Sequence, residues 1–261
     1  MIRALWTAAT GMVAQQIEQD VVANNLANVN TVGFKKSRAD FLDLMYQVYT
    51  KSGSETTQGN QLPVGIEIGM GVKPASTQKI FTQGDYQQTG NKFDWAIERD
   101  GFFQFDNNGT TVYSRAGNLK INRDGLLVNS EGLPLIPNIS IPPNAISFTI
   151  DSGGTWTAAD DAGNPLGTGR LELATFINPA GLSSIGRNLY EMTVASGDAI
   201  TGSPGEDGIG TISQHYLEMS NVNVIDEMVR MIVGQRAYEI NSKAIQTADG
   251  MLSIINNLKR S

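Results

Sequence analysis

The 261-residue chain contains no cysteine and a single histidine, His215. Disulfide bonds and thiolate metal sites are therefore excluded, and one histidine is too few for a zinc site of ordinary composition. A catalytic serine triad would have to use His215, and no nucleophile motif lies near it. The sequence therefore predicts a protein that is not an enzyme. It predicts no catalytic residue, no cofactor and no metal ligand.

Charge is also scarce. Charged residues make up 17% of the chain, and the net charge is −7. Binding to nucleic acid requires clustered basic residues, and the only basic cluster, Lys35, Lys36 and Arg38, is too short for a patch. No apolar run reaches the roughly 18 residues of a membrane-spanning helix, and the N-terminus lacks the apolar core of a signal peptide. We expect neither nucleic-acid binding nor membrane insertion, and any export would proceed without a cleaved leader.

What the chain does have is a long amphipathic pattern at each end. Apolar residues recur at steps of three and four, which keeps one face of a helix against a partner helix. The first helix is predicted from about Ile2 to Asn28. The second is predicted to follow Asn223, whose side chain can accept a free N–H as an N-cap, and to run to about Leu258.

Each predicted helix presents an apolar row at this heptad spacing. The N-terminal row contains Ile2, Leu5, Ala9, Met12, Gln16, Gln19, Ala23 and Leu26, and the C-terminal row contains Val233, Ala237, Ile240, Ala244, Thr247, Met251, Ile254 and Leu258. A second apolar row of Trp6, Val13, Ile17 and Val21 lies beside the first. Because a helix with two apolar rows needs cover on more than one side, we expect the apolar members to be assembly contacts.

Two glycines lie inside the second predicted helix. Gly234 and Gly250 each cost about 1 kcal/mol relative to alanine at such a position. Either tertiary packing tolerates them, or they allow a neighbouring helix to approach closely. We favour close approach.

The middle of the chain has the pattern of a β domain. Phe93, Trp95 and Ile97 alternate with polar residues, as in a strand. Asp106-Asn107-Asn108-Gly109 separates two further strands and predicts a tight hairpin turn, and Asn122-Arg123-Asp124-Gly125 predicts another. Lys51 to Gln61 and Ser203 to Gly210 are polar and glycine-rich, as flexible segments are.

These patterns predict an α+β fold. The N- and C-terminal helices are expected to pair as a coiled-coil-like unit, with an all-β domain inserted between them. The predicted boundaries are residues 1–30 with 221–261 for the helical domain, 31–71 for an extended linker, 72–205 for the β-rich domain and 206–220 for a return linker.

Three motifs resemble the flagellar rod and hook axial protein family. Residues 23–35 (ANNLANVNTVGFK) are similar to its N-terminal signature, 220–224 and 235–244 (QRAYEINSKA) to its C-terminal signature, and 96–103 (AIERDGFF) to its middle-domain motif. Within the family, residues 2–12 and the overall length most resemble the distal rod branch. The motif residues identified are Asn24, Asn25, Leu26, Asn28, Gly33, Phe34, Asn221, Asn223, Arg236, Tyr238 and Asn241.

The resemblance implies a non-enzymatic subunit of the distal rod, a rigid hollow drive shaft that carries torque from motor to hook. It implies type III export and a place in the basal body, from periplasm to outer membrane. The partners implied are copies of the same chain, other rod proteins, the hook protein, the surrounding ring proteins and the export apparatus. The helical domain would line the tube, and segment 31–71 would stiffen it.

Three alternatives remain at this point. The nearest is a sister rod or hook protein of the same family. A secreted β domain on a helical stalk, acting as an adhesin or scaffold, is a second, and a peptidoglycan hydrolase is a third, which the lack of catalytic residue types disfavours.

Overall fold

The computed structural model describes residues 2–53, 63–206 and 208–258, with side chains as far as 255. The chain divides into two compact units. The first, here called the helical unit, comprises Met1–Leu26, Ser37–Gln78 and Asn223–Ser261, and the second, the β unit, comprises Ala27–Lys36 and Lys79–Val222. The predicted α+β class, with a helix at each end and a β-rich middle, is confirmed.

The two predicted helices are present, close to the expected limits. Helix α1 spans Ile2–Ala27 and helix α2 spans Val224–Leu258. The side-chain oxygen of Asn223 accepts the N–H of Ile225 at 3.0 Å, as expected of an N-cap. Asp226 and Glu227 then place negative charge at the positive end of the helix dipole. Neither helix has, within the described residues, the length and apolar character needed to cross a bilayer.

The helical unit also contains β-strands, and most of them lie in the segment 31–71, which was predicted to be an extended linker. Its strands are β1 (Ser37–Asp43), β2 (Tyr46–Thr50), β3 (Ile66–Gly69) and β4 (Val72–Lys79). β1 pairs with β4, and β2 pairs antiparallel with β3. The segment 37–78 thus groups with the terminal helices. Most of the predicted flexible segment 51–61 lies outside the described residues.

The β unit is built from short antiparallel strands. They are β5 (Tyr86–Gln88), β6 (Trp95–Glu98), β7 (Phe103–Asn107), β8 (Thr110–Ser114), β9 (Lys120–Ile121), β10 (Leu127–Val128), β11 (Leu135–Ile136), β12 (Ser147–Ile150), β13 (Thr155–Ala159), β14 (Pro165–Arg170), β15 (Leu173–Thr175), β16 (Ser183–Gly186), β17 (Leu189–Glu191), β18 (Ile200–Gly202), β19 (Thr211–Gln214) and β20 (Tyr216–Glu218). The largest sheet has the order β11-β7-β8-β17-β16, and β12, β13 and β14 form a three-stranded sheet.

Both predicted hairpins are confirmed. β7 and β8 pair antiparallel around Asn108 and Gly109, whose φ values of 53° and 89° are those of a type I′ turn. The Gly109 N–H donates to the Asp106 carboxylate at 2.7 Å, which closes the turn. β9 and β10 pair around Asn122–Gly125, where Gly125 has φ of 78° and the Asn122 side chain accepts the N–H groups of Asp124 and Leu126.

The β unit has two adjoining hydrophobic clusters. The larger is centred on Trp95, Phe103 and Phe105, which are fully buried. The smaller contains Phe102, Phe176 and Tyr190, with Tyr113 meeting Phe176 edge-to-face at 4.8 Å between ring centroids. Phe102 and Phe103 therefore point to opposite sides of their strand, each into its own cluster.

The segment 206–220, which was predicted to be a return linker, contains two strands. Residues 211–214 form β19, which pairs with β6, and residues 216–218 form β20, which pairs with β5. His215 lies between them with φ of 66°, and its backbone N–H donates to the Asp94 carbonyl at 2.9 Å. The segment completes the β unit because it supplies partner strands for β5 and β6, near the start of that unit. Asp207, in the predicted flexible joint, lies outside the described residues.

Candidate functional site

The helical unit brings α1 and α2 alongside one another. A Cβ added to Gly11 would lie 2.9 Å from the Asn241 amide nitrogen, and one added to Gly234 would lie 3.5 Å from Cγ of Gln19. Near the other end of α1, the Asn25 amide donates to the Glu227 carboxylate at 3.2 Å. Position numbers rise along one helix as they fall along the other, so the helices run antiparallel.

Asn25 is the most highly connected of the family-motif residues in this unit. Its side chain is buried, its amide also donates to the Ser37 carbonyl at 2.9 Å, and its oxygen accepts the Ser37 N–H at 2.9 Å. All of the principal hydrogen-bonding groups of the amide are therefore used. Asn25 ties the end of α1 both to α2 and to the start of β1.

An acidic group, Glu18, lies near this contact and is partly buried. Burial raises the pKa of Glu18, while the nearby Arg230 opposes the shift, and the carboxylates of Glu227 and Asp40 add to it. Glu227 is itself almost fully buried. The contacts described here thus involve polar, charged and glycine positions, and the helices also bury Ala8, Ala14, Val22 and Ala248.

The apolar rows predicted from the sequence lie elsewhere on the helices. Ile2, Val233, Ile240, Met251 and Ile254 are each about half or more exposed. Of the other predicted members, Ala23 and Ala244 are exposed, Leu5, Ala9, Met12, Leu26 and Ala237 are half-buried, and the Leu258 side chain lies outside the described part of the chain. Of the contacts between α1 and α2 described above, the one at Gly234 involves a row position, Gln19, and the others do not. The role of the apolar row members in assembly stays a prediction.

The two helices together expose a broad apolar surface, here called the apolar face. On α2 it continues from the predicted row through Ile225, Met228, Val229 and Ile232, and on α1 it includes Trp6 and Val13. Exposed apolar surface of this extent marks an interaction site on a soluble protein.

Gly234 and Gly250 differ in their surroundings. Gly234 is buried against Gln15 and Gln19 of α1, in ordinary van der Waals contact for an added Cβ. A Cβ added to Gly250 would meet no atom within 4 Å, so the predicted close approach to a neighbouring helix does not occur there within the chain.

The β unit contains a second, fully buried polar cluster. The Lys35 ammonium lies 2.6 Å from one oxygen of Glu218, and the Arg115 guanidinium donates to the other at 3.0 Å. Lys35 and Glu218 have no exposed side-chain surface, and Arg115 has almost none. We call these three residues the ionic cluster. Burial lowers the pKa of Lys35, an effect that the charge of Glu218 opposes.

Further hydrogen bonds complete the ionic cluster. Lys35 also donates to the Thr82 carbonyl at 2.7 Å, and the Gly84 N–H donates to Glu218 at 3.0 Å. Arg115 donates to the carbonyls of Arg99 and Gly101. Because the charged groups are both paired and hydrogen-bonded, their burial is tolerated.

Other motif residues fix the chain on either side of the cluster. The Gly33 N–H donates to the Glu218 carbonyl at 2.8 Å. The Asn221 side chain accepts the Lys36 N–H and donates to the Ile80 carbonyl, both at 2.8 Å. Segments from the two halves of the sequence are thereby joined backbone to backbone and through side chains.

The remaining motif residues have local roles. Asn28 accepts a hydrogen bond from the Thr31 hydroxyl, and Phe34 is buried with the Lys79 ammonium 5.0 Å from its ring centroid. Arg236 pairs with Glu239 on the exposed surface of α2, and Tyr238 is partly exposed beside it. Asn24 is exposed. Among the described residues there is no group of three or more acidic or histidine side chains placed to hold a metal ion.

Three family models match the chain in order. Residues 5–35 match the flagella basal body rod protein model, 96–158 match the D1 domain of the flagellar hook protein FlgE/F/G, and 213–258 match the C-terminal model of the flagellar basal body rod FlgEFG proteins. The first and last stretches contain Asn25, Lys35, Glu218 and Glu227.

Full-length relatives give the closer assignment. The chain is 52% identical to the flagellar basal-body rod protein FlgG of Borreliella burgdorferi, with all of both chains covered. It is 46% and 44% identical to proteins of the same name from Buchnera aphidicola and Caulobacter vibrioides, over 99% of this chain and all of each relative. The chain belongs to the FlgG family of flagellar basal-body rod proteins. It is a structural subunit of the rod, as the motifs predicted.

In this FlgG-family chain, two residues of the ionic cluster, Arg115 and Glu218, were not predicted from the sequence, and the third, Lys35, was identified only as part of a short basic cluster. Lys35 is completely buried. Glu218 lies two residues before the C-terminal motif and Lys35 ends the N-terminal one, so position beside the motifs was the only available signal. Nothing in the local sequence pointed to Arg115.

Proposed function

We propose that the chain polymerises with copies of itself into the distal rod, a rigid hollow shaft that transmits torque from motor to hook. The observation that carries the proposal is the apolar face. Ile2, Trp6, Ile225, Ile240 and Ile254 are each more than 60% exposed, and clustered exposed apolar side chains are typical of protein–protein interaction sites. Packing against copies of the same helices removes that surface from water.

In this proposal the two helices act as a coiled-coil-like pair, antiparallel within the chain. The terminal regions, 1–30 and 221–261, form the inner tube, segment 31–71 stiffens it, and the region 72–205 forms the outer layer. The predicted row residues, from Ile2 and Leu5 to Ile254 and Leu258, are the contacts between copies. Stiffness follows from the number of contacts that each subunit buries.

The proposed setting is the basal body between periplasm and outer membrane, reached by type III export. The proposed partners beyond the chain itself are the other rod proteins, the hook protein, the ring proteins and the export apparatus. The role is mechanical and not enzymatic.

Electron microscopy of the purified full-length protein, concentrated until it assembles, tests the proposal. A straight tube is expected. A supercoiled tube would instead support a hook-type sister protein, and a small oligomer of fixed size would support the adhesin or scaffold alternative. Either of these results would overturn the assignment of a rod subunit.

A further inference from the structure

The two helices of the helical unit contact each other through one set of residues and expose a different, apolar set to solvent. They meet through Gly11, Asn25, Glu227, Gly234 and Asn241, which are polar or glycine, while the apolar face remains open. The apolar residues that the helices do bury, Ala8, Ala14, Val22 and Ala248, are mostly small, so apolar burial gives only a weak preference for one alignment of α1 on α2. A more specific interaction is needed to select one alignment.

We propose that the buried pair Asn25 and Glu227 sets the register between α1 and α2. The inference deepens the proposed function, on which it rests, because the register determines how the apolar face is presented to other copies. A single buried polar residue in a helix seam is a known means of selecting one register among several, at some cost in stability. Asn25 and Glu227 are each about 1% exposed, so misplacing either one leaves a buried polar group without its partner.

One register holds along the whole contact. Fourteen positions separate Gly11 from Asn25, and fourteen separate Glu227 from Asn241, so the two contacts Gly11–Asn241 and Asn25–Glu227 belong to the same alignment. The contact of Gly234 with Gln19 lies between them and agrees with it to within a turn. The alignment is therefore continuous over about four turns of helix.

The competing registers are those displaced by one heptad. Moving α1 by seven residues in one direction brings Glu18 opposite Glu227 in place of Asn25, so that two carboxylates face each other in a poorly solvated seam. Moving it the other way places Glu227 opposite position 32, beyond the end of α1. Either shift displaces the α1 part of the apolar face by about 10 Å relative to the α2 part.

The lack of native cysteine allows a direct test by disulfide trapping in the full-length chain. The pair Gln19→Cys with Gly234→Cys reports the observed register, because a Cβ at position 234 lies 3.5 Å from Cγ of Gln19. The pair Met12→Cys with Gly234→Cys reports the register displaced by one heptad. Each pair is oxidised in dilute solution and intrachain cross-linking is read from mobility on a non-reducing gel.

When Asn25 and Glu227 are both retained, we expect cross-linking of the 19–234 cysteine pair and little cross-linking of the 12–234 pair. Adding Glu227→Gln, which removes the carboxylate repulsion and keeps the side-chain shape, should raise the displaced cross-link about tenfold, the factor for about 1.4 kcal/mol between registers. Asn25→Leu with Glu227→Leu should raise it at least as much. If the leucine variant loses helicity by circular dichroism, the glutamine variant decides the question.

A matched control replaces exposed polar residues of the same helices, Gln16→Leu with Glu239→Leu, and should leave the displaced cross-link at its original level. An unchanged displaced cross-link in both seam variants would overturn the proposal. Because the readout is intrachain and made at low concentration, it does not depend on polymerisation. A failure of the rod assignment would therefore be distinguishable from a failure of the register assignment.

Discussion

The Lys35 ammonium lies 2.6 Å from the Glu218 carboxylate, although 183 positions separate the two residues in the chain. Arg115 shares the same carboxylate. One carboxylate, that of Glu218, thus neutralises two buried cations. Glu218 lies on β20, the last strand of the β unit. The β unit can complete its buried polar network only when the segment that follows residue 210 is in place.

Replacement of Glu218 by glutamine is therefore expected to destabilise the β unit strongly. The change retains most of the shape but leaves Lys35 and Arg115 without a counter-charge, a loss of about 3–5 kcal/mol for a buried pair. Urea unfolding followed by tryptophan fluorescence measures the change, since Trp95 and Trp156 lie in the β-unit core.

The matched control is Glu206→Gln, which removes the exposed ion pair with Arg170. Its expected effect is below about 1 kcal/mol, as for other solvent-exposed pairs. Equal losses in the two variants would contradict the importance assigned to the ionic cluster.

Alkaline pH is expected to weaken the β unit through two tyrosines with raised pKa values, the buried Tyr190 and the partly exposed Tyr86. Burial raises the pKa of Tyr190, and burial with the charges of Glu218 and Glu98 raises the pKa of Tyr86 to about 12. Above about pH 10 the unfolded chain loses these protons while the folded chain keeps them, so the free energy of unfolding falls as pH rises. The stabilisation is complete below about pH 10 and is lost as pH passes through the folded-state pKa values.

The comparison of Tyr190→Phe and Tyr86→Phe with the natural chain isolates this effect. Burial lowers the pKa of Lys35, which is fully buried, and of Lys79, which is half-buried. These two lysines act in the opposite direction below pH 10 and are present in every variant. Each phenylalanine variant should lose less stability between pH 8 and pH 11 (about one unit beyond the ordinary tyrosine value) than the natural chain.

Local sequence patterns were enough to predict helix starts and tight turns, but not to predict how the helices contact each other. Asn223 was identified as an N-cap, and Asn108-Gly109 as a tight turn, because each acts on its own neighbours. The register of the helices was missed because periodicity reveals which residues are apolar, and not whether a row meets its own chain or a copy. The row through Ile240 is periodic and exposed, whereas the actual contact uses Asn241, one position and about 100° further round.

The burial of Lys35 could not have been predicted for a related reason. A lysine is almost always exposed unless it is paired, and its partner Glu218 is remote in sequence. The strands β19 and β20 were taken for a linker because they are short and pair with β6 and β5 across more than a hundred residues. Such pairing carries no local signature.

Replacement of Ile240 by aspartate should block assembly and leave the monomer folded. Ile240 is 66% exposed, so the charge costs little in the free chain but would be buried without a partner between copies. Sedimentation of the assembled protein and circular dichroism of the dilute protein measure the two effects. Leu5→Asp should also block assembly, but Leu5 is half-buried, so some loss of monomer stability is expected as well.

The control for Ile240→Asp is Gln246→Asp, which adds the same charge at an exposed position about a third of a turn round the same helix. It should assemble normally. Normal polymer formation by Ile240→Asp would refute the assignment of the predicted row to contacts between copies.

Gly33 is expected to tolerate no side chain, for two separable reasons. Its φ is +68°, which costs a residue with a Cβ about 1–2 kcal/mol, and a Cβ there would lie 2.6 Å from the backbone nitrogen of Ala116. Gly132 has a similar φ of +84° but no atom within 4 Å of an added Cβ. Gly132→Ala should therefore show only the conformational cost. Gly33→Ala should lose clearly more, since the backbone beside Arg115 must move and would disturb the bond from the Gly33 N–H to Glu218. Urea unfolding of both variants measures the difference, and equal losses would show that backbone conformation alone explains the glycine.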